Sequence, residues 1–172
     1  ILDIYSRKIV GHEVWLNESS EHAKTLVKRA LLTEEVKGKP LVLHSDNGSP
    51  MKGATFLATL EKLGVQSSFS RPRVSNDNAY SESLFKTMKY APIYPKNGFT
   101  TLEEARQWIQ RFVHWYNNEH YHSGINYVTP SDRHGFKDIE ILEKRNKIYL
   151  QAKSRNPERW SGETKKFEYQ ES

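Results

Sequence analysis

Short apolar runs alternate with segments of helical periodicity in the first half of the chain, and this alternation most constrains the fold. The run Leu41–His44 precedes a helical segment at Ala54–Leu63, and a second run, Val65–Phe69, follows it at once. Apolar runs of about 4–8 residues between turn formers are typical of buried strands. The inward positions of the helical segment are predicted to be Phe56, Leu57, Leu60 and Leu63. We therefore predict an α/β fold in which helices flank one mixed sheet.

The same periodicities predict the remaining elements. Residues 1–16 are rich in β-formers and are predicted to be extended. Further helices are predicted between Ser19 and Lys37, from Ala79 to Tyr90, from a capping box at Thr101–Glu104 through Tyr116, and from Asp138 to Ala152. The apolar side of the last helix is predicted to hold Ile141, Leu142, Ile148 and Tyr149. No structure is assigned to the polar tail from Lys153 onward.

Composition narrows the class of protein. The chain of 172 residues has no cysteine, which excludes disulfides and thiolate metal sites and favours a reducing compartment. No apolar run approaches the roughly 20 residues that a membrane span needs. The formal net charge of +5 suits a polyanion such as DNA, although many soluble proteins are equally basic.

Two carboxylates are candidates for chemistry. Asp46 follows a short apolar run and lies in a turn, and Glu82 lies in the first turn of the predicted helix from Ala79. On that helix Glu82, Lys86 and Lys89 share one face, which suits a hard divalent cation beside a DNA phosphate. The alternative is a turn aspartate and a solvated Glu–Lys pair, and the residues alone favour that alternative.

A basic loop precedes the helix that carries Glu82. Arg71 and Arg73 could follow a DNA backbone through phosphate contacts, which give affinity without sequence information. A solvated loop is the competing interpretation, and the proximity of Glu82 slightly favours DNA.

Three longer stretches resemble a known family. They read HSDNGSPMKGATF around Asp46, LGVQSSFSRPRVSNDNAYSESLFKTMKY through Glu82, and FVHWYNNEHYHSGINYVTP further on. All three are similar to insertion-sequence transposases of the DDE superfamily, which also includes retroviral integrases. In that superfamily 35 residues separate the second Asp from the Glu, and 35 residues intervene between Asp46 and Glu82. A Lys or Arg lies seven residues after the Glu in the insertion-sequence branch, and Lys89 occupies that position.

The resemblance implies a fold. It implies a ribonuclease-H-like mixed sheet flanked by helices, with an integrase-like catalytic core over residues 1–128 and a C-terminal helix and basic tail over residues 129–172. The opening LDIYSRKIVG resembles the second and third strands of that sheet. The first, central strand, which carries the first catalytic Asp, is therefore expected to be missing from this chain. Asp3 matches the second strand and is not expected to be a ligand.

The resemblance also implies a function. Asp46 and Glu82 would be catalytic metal ligands for Mg²⁺ or Mn²⁺ in DNA cleavage and strand transfer, and Lys89 would contact the DNA end. Lys86, Arg71 and Arg73 are further DNA-binding candidates. The implied partners are transposon ends, target DNA, further copies of the chain and a helix-turn-helix domain, fused or separate. A bacterial cytoplasmic location on DNA, away from membranes, is expected.

Other interpretations remain open. The expected loss of the first Asp would fit a catalytically inactive DNA-binding remnant of a transposase. A retroviral-type integrase is a further alternative, which the sequence around Glu82 and Lys89 disfavours. The pair His120 and His122 could suggest zinc, although no matching ligand spacing supports it. Trp108 could stack on a DNA base or lie in the protein core, and packing in the core is favoured.

Overall fold

The computed structural model describes residues 1–36, 38–72, 74–92 and 94–169, apart from the side chain of Ser75. The described helices and strands are α1 (Ser20–Thr33), β1 (Leu41–Ser45), α2 (Ser49–Lys52), α3 (Ala54–Lys62), β2 (Val65–Phe69), α4 (Ala79–Lys89), α5 (Leu102–Asn118), α6 (Pro130–His134) and α7 (Asp138–Arg155). Short 3₁₀ turns lie at Ser75–Asn78, Ser123–Ile125 and Pro157–Arg159.

The chain divides into two compact units. The first contains Ile1–Leu2 and Val10–Phe112, and the second contains Asp3–Ile9 and the chain from Val113 onward. The division falls within α5, whereas the sequence predicted a boundary after residue 128. The predicted boundary marks where the catalytic core ends, which is a different property from compactness, so it stays a prediction.

The sheet lies in the first unit and consists of two parallel strands. β1 pairs with β2 in a register that runs from Leu41 opposite Val65 to Ser45 opposite Phe69. α3 connects the two strands, as parallel pairing requires a crossover. The predicted α/β architecture is confirmed, but the sheet is smaller than predicted, since each strand has a single partner within the described part of the chain. The carboxyl ends of both strands meet at one edge.

The core of the first unit joins α1 and α3 to the sheet. Val27, Phe56, Leu60 and Val65 are its buried members. Burying each such side chain contributes about 1.5–3 kcal/mol, so this cluster holds α3 against β2. Leu63 was predicted to point inward, but it is 39% exposed because it is the C-cap residue, where the helical periodicity ends.

Local hydrogen bonds explain where two of the helices begin. The Ser19 hydroxyl accepts a bond from the His22 amide at 3.1 Å and caps α1. At α5 the Thr101 hydroxyl accepts from the Glu104 amide at 3.1 Å, and the Glu104 carboxylate accepts from the Thr100 amide at 2.8 Å. The predicted capping box is therefore confirmed, and it satisfies amides that have no partner inside the helix.

Aromatic packing anchors the first part of α5 in the first unit. Trp108 is 5% exposed and stacks on Phe112 with ring centroids 5.3 Å apart. Tyr94 meets the Trp108 ring edge-on at 5.2 Å. The prediction that Trp108 packs is confirmed.

The second unit has its own apolar cluster. Ile125, Val128, Leu142 and Phe167 are buried together, with Ile141 and Tyr149 packed against them. Ile148 was predicted to share this side of α7, but it is 62% exposed and faces away from the cluster. The tail, to which no structure was assigned, supplies Phe167, whose backbone exchanges two hydrogen bonds with the Asn146 amide group.

Residues 1–16 were predicted to be extended, and in the described structure they form no strand. The segment is nevertheless partly paired, because the Asp3 amide donates to the Lys8 carbonyl at 2.8 Å and the Val10 amide donates to the Ile1 carbonyl at 3.0 Å. The Asp3 carboxylate accepts hydrogen bonds from the amides of Tyr5 and Ser6 at 3.3 and 3.1 Å. A short polar side chain that captures nearby amides favours a turn over a strand. Arg7 completes the turn in the left-handed region at φ 65°.

None of the helices in the described part of the chain combines the length and the apolarity that crossing a membrane requires.

Candidate active site

Asp46 lies directly after β1, at the carboxyl edge of the sheet. Its Oδ1 accepts a hydrogen bond from the Gly48 amide at 3.0 Å, and the side chain is exposed. A Cβ on Gly48 would lie 3.0 Å from the same oxygen, so a side chain there would push the carboxylate aside. The turn thus fixes the carboxylate through one oxygen, and Oδ2 accepts no bond from any described residue.

A side-chain contact closes the sheet edge beside Asp46. The Asn47 side-chain amide donates to the Ser70 carbonyl at 2.7 Å, and the Ser70 amide donates to the Ser45 carbonyl at 3.0 Å. These bonds join the residues that follow β1 and β2. The two strand ends are therefore held together where Asp46 lies.

The loop before α4 is tied to this edge by an ion pair. The Asp77 carboxylate accepts hydrogen bonds from the Arg71 side chain, at 2.9 Å from Nε and 2.8 Å from Nη2, and from the Arg71 amide at 2.8 Å. The side-chain bonds from Arg71, followed by the backbone bond, hold the pKa of Asp77 well below its usual range, and His44 on β1 adds a smaller electrostatic contribution. The start of α4 is therefore placed close to the carboxyl ends of the strands.

Glu82 projects from the first turn of α4 and is exposed. Among the described residues it forms no ion pair, and neither do Lys86 and Lys89 on the same face. The alternative of a solvated Glu–Lys pair is therefore not formed in this structure. An acid and two bases stand on one exposed face with their charges available to a ligand.

The predicted site residues fall into three groups. Asp46 directly follows β1, Glu82 lies in the first turn of α4 after the loop that Arg71 and Asp77 close, and Lys86 and Lys89 share the face of Glu82. Arg71 reaches this edge but is bound to Asp77. Arg73 lies outside the described residues.

A complete metal site is not formed by acidic and histidine side chains in the described part of the chain, where no group of three or more could hold an ion. Asp3 serves the N-terminal turn instead. His120 and His122 are partly buried, and burial lowers the pKa of each imidazole.

Sequence reasoning missed two features of the site. The bond from Asn47 to Ser70 joins residues 23 apart, and nothing in the periodicity signals it. Phe85 is 60% exposed on α4, beside Glu82, Lys86 and Lys89. Phe85 follows Glu82 by three residues, and this spacing, which places both on one face of a helix, is the sequence signal that could have indicated it.

The fold and these side chains define an α/β protein with a candidate ligand site at the carboxyl edge of its sheet, where such proteins bind their ligands. Two sequence profiles, both described as integrase core domain, match residues 1–75 and 63–130. The chain belongs to the integrase core family of insertion-sequence transposases.

Three curated relatives illustrate the similarity. The transposase for insertion sequence element IS904 of Lactococcus lactis is 37% identical and covers 76% of this chain. An uncharacterized transposase-like protein of Haemophilus influenzae is 26% identical over 76% of the chain. A putative transposase for IS986/IS6110 of Mycobacterium tuberculosis is 25% identical over the same share. The chain spans 51%, 59% and 48% of their lengths, which is about half.

Among solved structures, one chain of the simian T-cell lymphotropic virus intasome in complex with a PP2A regulatory subunit is similar to this chain with a TM-score of 0.49. Its sequence is 16% identical, and the likeness covers 69% of this chain and 41% of that chain.

Proposed function

We propose that this chain is the catalytic part of an insertion-sequence transposase, which cleaves DNA and transfers strands with the help of a divalent metal ion. The observation that carries the proposal is the position of Asp46 and Glu82. Both carboxylates are exposed, Asp46 directly follows β1, Glu82 follows the loop that the Arg71–Asp77 pair closes after β2, and neither carboxylate is neutralised by a described cation. The fold that we infer for the whole catalytic domain is the ribonuclease-H-like sheet.

The donor atoms fit a magnesium or manganese ion. Both are hard cations that take carboxylate oxygens and keep several water ligands, so two carboxylates can contribute without filling the coordination shell. Asp46 offers the unbonded Oδ2, and Glu82 offers an unpaired carboxylate. When bound, the ion would supply charge stabilisation for the attacking and the leaving oxygen.

The reaction that we propose has two phosphoryl transfers. Water attacks a phosphodiester at the transposon end, a new P–O bond forms, the bond to the 3′ oxygen breaks, and that oxygen leaves as a 3′-hydroxyl. The freed hydroxyl then attacks a phosphodiester of the target and displaces another 3′ oxygen. Asp46 and Glu82 would hold the ion, and Lys86 and Lys89 would bind DNA phosphates.

The partners in this proposal are the two DNA substrates and protein. DNA-bridging implies more than one copy of the chain, and recognition of the end sequence implies a helix-turn-helix domain, fused or separate. Arg71 would contribute to DNA binding only through its exposed surface, because its guanidinium is occupied by Asp77. Arg73 is retained as a DNA-binding candidate from the sequence.

A catalytically inactive DNA-binding remnant is the second candidate, and one observation favours it. Lys86 and Lys89 are exposed and form no ion pair with a described residue, so the face of α4 could bind DNA phosphates whether or not the chain cuts DNA. Such a remnant would bind DNA through Lys86 and Lys89 without cutting it.

The test is cleavage of a labelled transposon-end duplex with Mg²⁺ or Mn²⁺. The chain is assayed as it stands and in a form lengthened upstream of Ile1 to the extent of the curated relatives. We expect the active form to lose cutting in Asp46→Ala and in Glu82→Ala, because each removes a metal ligand. Glu103→Ala, which removes an exposed acid from α5, is the matched control and should cut normally.

Two results would contradict the assignment. Cutting that survives Glu82→Ala would place the active site elsewhere. DNA binding without cutting in both forms would favour the inactive remnant.

A further inference from the structure

One face of α4 combines an exposed aromatic ring with the charged residues of the candidate site. At 100° per residue, Glu82, Phe85, Lys86 and Lys89 fall within an arc of about 100°. Phe85 is 60% exposed, and the other three side chains are exposed as well. The ring therefore faces the same space as the carboxylate and the two cations.

Phe85 does not anchor α4 to the rest of the protein. Leu84 and Met88 lie on the opposite side of the helix and are half-buried, so they provide its contact with the protein. Phe85 makes no ring contact with any described residue. A single exposed apolar side chain is ordinary on a protein surface, but this one lies beside two cations that have no described partner.

We infer that Phe85 is a stacking platform for a nucleobase of a DNA strand whose phosphates are bound by Lys86 and Lys89. This inference rests on the proposed function of the site. Every nucleotide joins a flat aromatic face to an anionic phosphate, and the face of α4 offers the complement of both within one helical turn. Charge complementarity favours DNA over a protein partner, because a protein surface seated here would need acidic groups to match both lysines.

The ring also limits which DNA can be bound in this way. Bases inside a duplex are stacked on their neighbours, so their faces are covered. A base that stacks on Phe85 must be unpaired, as at a frayed end, an overhang or an extruded nucleotide. The substrate class is therefore DNA with an unpaired base close to the phosphate that lies at Asp46 and Glu82, rather than an intact duplex.

The experiment measures binding without metal, so that it does not depend on cutting. The 172-residue chain is titrated with a fluorescent duplex that carries a short 3′ overhang, with a blunt duplex of the same sequence, and with the overhang made abasic. Any sequence serves, because stacking tolerates every base. A 2-aminopurine in the overhang reports stacking by fluorescence quenching.

We expect Phe85→Ala to weaken binding of the overhang duplex by roughly 5- to 100-fold, which corresponds to the usual contribution of one stacked base. Binding of the blunt and abasic DNA should change little. Phe85→Trp should retain the affinity and the quenching, because a larger ring still stacks. Phe136→Ala is the matched control, since Phe136 is a phenylalanine of similar exposure, 62%, and it should bind as the parent chain does.

Other outcomes separate this inference from the proposed function. If the parent chain binds none of the DNA, both fail. If Lys89→Ala weakens binding but Phe85→Ala binds the overhang as tightly as the parent chain, with the same quenching, the stacking inference alone is wrong. If Phe85→Ala changes the oligomeric state and leaves DNA affinity intact, the ring contacts protein and the inference is also wrong.

Discussion

Single side chains decide the local structure at the start of the second unit. The Asp3 carboxylate receives hydrogen bonds from the Ser6 amide and hydroxyl and from the His134 ring. Burial, the largest single influence, raises the pKa of Asp3, but the hydrogen bonds led by the Ser6 hydroxyl outweigh it and lower the pKa below 3.8. The turn is therefore linked to the ionised form of this residue.

Asp3 should make stability depend on acid pH. The pKa of Asp3 is lower in the folded chain than in the unfolded chain. The stabilisation of the folded chain by the ionised Asp3 carboxylate is therefore complete above about pH 3.8 and is lost as the pH falls through the folded pKa. We expect Asp3→Asn to reduce the difference in unfolding free energy between neutral and acid pH. Urea denaturation at several pH values measures it. Glu158→Gln, in an exposed 3₁₀ turn, should leave the dependence unchanged, and equal curves for Asp3→Asn and the parent chain would refute the linkage.

Elements start where their end groups are satisfied, and α5 offers a direct measurement. Thr101→Ala removes the hydroxyl that accepts from the Glu104 amide. Loss of such a cap typically costs about 1 kcal/mol, so the free energy of unfolding should fall by about that amount. Thr100→Ala is the control, since Thr100 contributes its backbone amide and not its side chain to the cap. A fall of equal size in both variants would show that the cap is not the cause.

At the scale of elements, apolar periodicity in the sequence predicts the two strands and the longer helices α1, α3, α4, α5 and α7. It does not predict the short helices α2 and α6, which have too few turns to show a period. The prediction is only partly right for residues 1–16, where the amides of Asp3 and Val10 are paired with backbone carbonyls but the Asp3 side chain stabilises a turn and no strand forms. β-propensity depends on the neighbouring strand and not on the segment alone. Leu63 fails because the helical periodicity ends at the C-cap of α3. Ile148 fails because it lies about 120° around α7 from Leu142 and misses the cluster that Leu142 and Tyr149 contact.

At the scale of the whole molecule, each unit depends on its own apolar cluster. Phe56 is 1% exposed in the cluster of the first unit. Phe56→Ala should lower the free energy of unfolding by about 3–5 kcal/mol, because it removes buried surface and leaves a cavity. Leu63→Ala, at a residue 39% exposed, should cost far less. Chemical denaturation compares them, and similar losses would mean that Phe56 does not occupy the core.

The site was only partly predictable from the sequence at this scale. Spacing and family resemblance singled out Asp46, Glu82 and Lys89 as candidates. The Asn47 side chain bonds to the Ser70 backbone carbonyl, 23 residues away, and the Arg71 and Asp77 side chains pair across the loop that joins β2 to α4. Neither contact follows a helix or strand period, so neither leaves a periodic signal in the sequence.

The two-stranded sheet has a further consequence for how the chain behaves among its own copies. Val42 on β1 is 57% exposed, and the strand has one hydrogen-bonded neighbour in the described part of the chain. A bare strand with an apolar residue is a template for pairing with another chain, and proteins usually cover or charge such edges. In concentrated solution, we therefore expect the free edge of β1 to favour edge-to-edge association between copies of the chain.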